Sequence, residues 1–156
     1  MKIYHFESEI LVNASCDEVF QFFSNAENLE QITPDSLRFK ILTPLPITMA
    51  EGIHIDYRIK LYGIPLRWET EITVWDPPNR FIDSQLRGPY KSWIHEHTFK
   101  DIDGKCLISD KVSYQLKGGI LTPLINRWFV QKNLTKIFNF RRTRILTLFS
   151  FENPKN

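Results

Sequence analysis

A chain of 156 residues, 42% of them hydrophobic and 24% charged, suits one globular domain with a substantial core. A net charge of +2 is too small to argue for a nucleic-acid partner. No apolar run is long enough for a signal peptide or a bilayer span, and Cys16 and Cys106 are too few and too far apart in sequence for a disulfide framework or a zinc motif. The expectation is a cytoplasmic protein, with one domain over residues 1–150 and a tail at 151–156.

In chain order, residues 2–13 (KIYHFESEILVN) alternate well enough to predict a first strand. Ser15 followed by Glu18 is a capping-box signature for a helix over SCDEVFQFFSN, whose apolar side is Val19, Phe20, Phe22 and Phe23. A second short helix is predicted over AENLEQIT, ending before Pro34. From residue 37 the period becomes two. LRFKIL, IHIDYRIKLYG, IPLRWETEITVW, RFIDSQL, YKSWIHEHTF and KCLISDKVSYQL read as six strands, punctuated by the turn signals DPPN, RGP and DIDG. They form a meander whose inward positions include Leu66, Trp68, Thr70, Ile72 and Val74. After Gly118 and Gly119, Thr122 as N-cap and Pro123 at the first helical position predict one helix from 123 to 149. Its apolar stripe is Leu124, Trp128, Phe138, Ile145 and Phe149. Seven antiparallel strands curving around one long helix, with two short helices after the first strand, make an α+β domain.

Charge is uneven. Residues 1–36 hold seven acids against Lys2 alone, and residues 117–151 hold seven bases and no acid. Two readings are open: a basic helix that contacts an anionic surface, or a solvated face balanced by the acidic N-terminal part.

Chemistry concentrates in residues 81–99, FIDSQLRGPYKSWIHEHTF. Strand parity puts Asp83 and Gln85 on one face, and Trp93, His95, His97 and Phe99 on one face of the next strand. A hairpin turning at Asp103 and Gly104 sets His97 opposite a position near Asp110. Three uses of this set are open. His95 and His97 with Asp83 or Asp110 have a metal-binding arrangement, but spacing fixes no third ligand, so no metal is expected. His95, His97 and Asp110 could move protons. Finally, Asp83, Gln85, His95, His97 and Asp110 could orient the polar end of a largely apolar ligand, with Tyr57, Trp68, Trp93 and Tyr114 as aromatic walls.

The element order resembles the START-like superfamily of polyketide cyclases/dehydrases and lipid transport proteins, the helix-grip fold. YGIPLRWETEI, the 81–99 segment and SDKVSYQLKGG resemble a bacterial branch described as a ligand-binding domain of that group (SRPBCC). The resemblance implies an internal hydrophobic cavity and a small hydrophobic partner of lipid, isoprenoid or aromatic polyketide type, bound without a cofactor. The alternative it implies is a cyclase or dehydratase using His95, His97 and Asp110. Two features of relatives are missing. The loop TPLPITMAEG has the single Gly52 rather than a glycine-rich run, and no helical histidine pair supplies the iron site of ring-hydroxylating relatives.

Overall fold

Period-two alternation draws seven strands into one antiparallel sheet. The computed structural model describes residues 2–150; the tail expected at 151–156 lies outside the described residues. The strands are β1 (Tyr4–Val12), β2 (Lys40–Ile41), β3 (His54–Leu61), β4 (Ile64–Asp76), β5 (Arg80–Arg87), β6 (Ser92–Ile102) and β7 (Lys105–Gln115). Their order is β1-β7-β6-β5-β4-β3-β2, so β2 to β7 form the meander and β1 lies against β7. Two hairpins close with two residues each: Tyr62–Gly63 (φ 50° and 78°) and Asp103–Gly104 (φ 51° and 81°). Positive φ at both positions matches the twist of the flanking strands, and glycine adopts it without steric cost. β2 is shorter than LRFKIL predicts, because Asp35–Leu37 form a 3-10 turn and Arg38 takes a left-handed conformation.

Helix α1 (Cys16–Ser24) begins at the expected capping box. Glu18 N–H donates to Ser15 Oγ at 3.2 Å and Ser15 N–H to Glu18 Oε2 at 3.0 Å. It buries Val19, Phe20 and Phe23, each contributing about 1.5–3 kcal/mol of apolar transfer. The second predicted helix is a 3-10 segment, Ala26–Ile32. Folding also joins the two cysteines that lie 90 residues apart: Cys106 pairs with Val12 in the β1–β7 ladder, and its Sγ meets Cys16 Sγ at 2.7 Å.

The C-terminal helix departs from expectation at its start. A 3-10 turn (Gly119–Leu121) runs directly into α2 (Thr122–Ile125), a π-helical turn (Asn126–Val130) and α3 (Gln131–Leu148). Thr122 does not cap; its hydroxyl donates back to the Gly119 carbonyl at 3.0 Å. The π turn inserts one extra residue and rotates α3 relative to α2 by about 100°. Leu124 and Trp128, expected on the buried stripe, are therefore 59% and 52% exposed, whereas Leu134, Phe138 and Ile145 are buried. Asn126 turns inward instead and accepts the Tyr114 hydroxyl at 2.6 Å. A similar shift occurs in β4. A bulge between Ile72 and Val74 passes the inward place expected of Val74 to Trp75, which packs on Phe20 at 5.1 Å and Phe81 at 5.6 Å. Among the described residues no helix is long and apolar enough to cross a membrane.

Candidate functional site

The pleat of β6 carries Trp93, His95, His97 and Phe99 inward, and all four are buried. Register then assembles the polar set: His95 stands opposite Asp83 on β5, and His97 opposite Asp110 on β7. His95 Nε2 lies 2.8 Å from Asp110 Oδ1, and His97 Nε2 lies 3.0 Å from Asp83 Oδ2. His97 Nδ1 is also 3.0 Å from Asp110 Oδ1. It and Asp110 Oδ2 stay without hydrogen-bond partners among the described residues; the contact is one of charge. His95 Nδ1 approaches Asp83 Oδ2 at 3.7 Å. The two imidazole centroids are 3.7 Å apart, and Phe81 stacks on His97 at 4.1 Å.

Two carboxylates around two imidazoles split their proton affinities. Burial works against a charged His97, but Asp110 and Asp83 outweigh it and raise its pKa above the usual 6.5. Burial and repulsion by His97 outweigh the same carboxylates at His95 and lower its pKa. Burial would raise both aspartates, yet the imidazoles beside them hold Asp83 below its ordinary value and Asp110 well below. The set therefore favours a proton on His97, between the two carboxylates, over one on His95 beside it.

A cavity of about 170 Å³ opens above this set. Ile55, Tyr57, Ile59, Trp68, Thr70 and Ile72 from β3 and β4 form one side, with Phe81, Asp83, Trp93, His95 and His97 from β5 and β6. Asn133, Leu134, Ile137, Phe138 and Arg141 of α3 form the other, and Phe23, Ala26, Leu29 and Thr33 close an end. The lining is mainly apolar and aromatic, as in small-molecule pockets. Burial, with Asp83 adding to it, pushes the Tyr57 phenol well above its ordinary pKa against the pull of Arg141; it is a neutral donor.

Of the residues singled out from sequence, Tyr57, Trp68, Asp83, Trp93, His95 and His97 lie on the cavity wall. The other three do not. Asp110 sits behind the imidazoles with a fully buried side chain. Gln85 turns to clamp the β5–β6 loop, donating to the Tyr90 carbonyl at 3.0 Å and accepting from the Tyr90 N–H at 3.3 Å. Tyr114 is stacked on Tyr4 at 5.7 Å and bonded to Asn126. The helix side of the wall was not anticipated. Arg141 carried a usable signal, being a base three residues after Phe138 and four before Ile145 on an otherwise apolar stripe. Asp83, His95 and His97 each place one donor atom within 4.8 Å of the others, a spacing a transition metal accepts. Because both Nε2 atoms face carboxylates, an ion would have to displace those contacts.

Comparison with known proteins agrees with this architecture. No curated protein matches the chain. Among solved structures, the Zhui aromatase/cyclase from Streptomyces sp. R1128 superposes with a TM-score of 0.73 at 16% identity, covering 96% of this chain and 94% of that one. A START superfamily protein from Mycobacterium smegmatis gives 0.70 at 12% identity, over 92% and 98%. The major latex-like protein 151 of Panax ginseng gives 0.67 at 11%, over 94% and 97%. Identities this low show a shared fold alone. The sequence profile of the family described as polyketide cyclase / dehydrase and lipid transport matches residues 12–140, and the chain belongs to that family.

Proposed function

We propose that the protein binds a small, mostly hydrophobic molecule of lipid, isoprenoid or aromatic polyketide type, with a polar end set against Asp83, His95 and His97. The observation that carries this is the cavity: an apolar, aromatic-lined space whose sheet wall holds a buried, hydrogen-bonded polar set. Buried ionisable groups are costly in an inert core, and a ligand that uses them accounts for their presence. A proton-moving role is the second reading, favoured by the Asp83–His97 pair on the wall. The binding reading is preferred because both imidazole Nε2 atoms are already engaged by aspartates and the rest of the cavity lining is mainly apolar and aromatic. The Asp83–His95–His97 trio is read as a hydrogen-bonded set rather than a metal centre.

Native mass spectrometry of gently purified protein tests these readings together. The expected spectrum carries an added apolar small molecule. Protein that arrives bare and takes up no apolar compound afterwards would overturn the binding reading. An added mass of zinc or iron, lost in His95→Ala, would overturn the metal-free reading. Conversion of a supplied polyketide or lipid into a cyclised or dehydrated product would favour the enzymatic one.

A contact between the start of the C-terminal helix and an anionic bilayer belongs to the same proposal. It is supported by the exposed Ile120, Leu121, Leu124, Trp128 and Phe129 with Arg127 and Lys132 at the Trp128 ring, a combination of interfacial anchors and cations.

A further inference from the structure

We infer that the occupant of the cavity carries an anionic oxygen group, a carboxylate or a phosphate ester, and that Arg141 pairs with it; this rests on the binding reading above. Arg141 stands on the inward stripe of α3, which otherwise buries Leu134, Phe138 and Ile145, and its side chain lines the cavity. Its Nε is buried with no hydrogen-bond partner among the described residues. Nor does any carboxylate there lie within ion-pair distance of it.

The neighbouring arginines of the same helix are engaged. Arg142 donates to the Glu9 carbonyl at 2.6 Å and Arg144 to the Gln31 carbonyl at 3.1 Å. The acid in the cavity wall, Asp83, accepts from His97 and Thr70. Arg141 instead places its Cζ 5.0 Å from the Phe138 ring centroid, which attracts the cation but supplies no oxygen acceptor.

A guanidinium has five donors and no acceptor, and burying an unpaired donor is costly. The indole N–H of Trp68, also on the cavity wall, is likewise buried without an acceptor among the described residues. Two orphaned donors around one apolar space are complementary to a ligand group rich in acceptors. The planar fork of arginine fits the two oxygens of a carboxylate or phosphate. A rival account is that Arg141 merely balances the charge of the Asp83–His97–Asp110 set. That account predicts no preference between charged and neutral ligands.

The test is displacement of the neutral fluorophore N-phenyl-1-naphthylamine by decanoate, decyl phosphate and decanol, at about pH 7.5, where a carboxyl is ionised. At least one of the two anions should compete about tenfold or more tightly than decanol, and which one does so identifies the group. Arg141→Gln should erase the preference while still binding the fluorophore and decanol. If Arg141→Gln does not fold, Arg141→Lys decides: a weakened preference supports the pairing and an unchanged one overturns it. Equal competition by all three compounds in the wild type overturns the anion inference and leaves cavity binding standing. Full preference retained in Arg141→Gln also overturns it. Failure of the fluorophore and all three compounds to bind overturns the binding reading, and this inference with it.

Discussion

His97 sits between two aspartates and His95 beside it, and the two imidazoles are driven in opposite directions from the usual 6.5. Between pH 6.5 and its raised value, folded His97 keeps a proton that the unfolded chain has released, so this contribution to stability falls as pH rises through that window. His95 acts with the opposite sign: below 6.5 the unfolded chain takes up a proton that folded His95 refuses, and stability falls as pH falls. The two limbs should meet near pH 6.5 as a local maximum. NMR titration of the imidazoles, assigned with His→Gln variants, should show His97 titrating above that value and His95 below it; both on the same side would contradict the arrangement. Much of this set was legible in sequence, because strand parity and the Asp103–Gly104 turn locate His95, His97 and Asp110. Which of them would be reached from the cavity was not. Asp110 shares the face of His97, but the two imidazoles cover it, and parity says nothing about which side chain lies in front.

The helices and strands were legible wherever a single period ran unbroken. They failed where a residue was inserted. The π turn at Asn126–Val130 and the β4 bulge after Ile72 each shift the inward face by one position, and neither leaves a mark in hydrophobic periodicity. Leu124 and Trp128 keep helical spacing with Phe138 in the sequence yet lie outside, so their contributions should differ sharply. Phe138 is 5% exposed and touches Phe6 at 4.8 Å; Phe138→Ala should cost about 3–5 kcal/mol. Leu124→Ala and Trp128→Ala should each cost about 0.5 kcal/mol or less. Urea unfolding of the three variants measures this. A Trp128→Ala protein as unstable as Phe138→Ala would show that the helix lacks the π-turn register.

At the scale of the molecule, the acidic first segment and the basic last one come together, with arginines of the last reaching backbone carbonyls of the first. Arg142 and Arg144 reach backbone carbonyls of Glu9 and Gln31, and Lys117 reaches the Gly88 carbonyl at 3.3 Å. The bases toward the C-terminal end of α3 are thus held by the fold or lie at the cavity. Those toward its start are arranged differently: Lys132 Nζ lies 4.9 Å and Arg127 Cζ 5.9 Å from the ring centroid of exposed Trp128. Tyr62, at the tip of the β3–β4 hairpin and 66% exposed, meets Phe129 edge-on at 6.0 Å. One end of the molecule therefore presents aromatic and aliphatic groups with two cations at the Trp128 ring, a surface suited to the headgroup region of an anionic bilayer. The protein should cosediment with phosphatidylglycerol vesicles and far less with phosphatidylcholine. Raising salt from about 0.1 M to about 1 M, which shortens the screening length from about 10 Å to about 3 Å, should release most of it. Trp128→Ala combined with Phe129→Ala should weaken binding at low salt without lowering stability appreciably, since both side chains are more than half exposed. Equal binding to both lipids, or binding untouched by the double substitution, would remove this face as a membrane contact and leave its exposed aromatics for a protein partner.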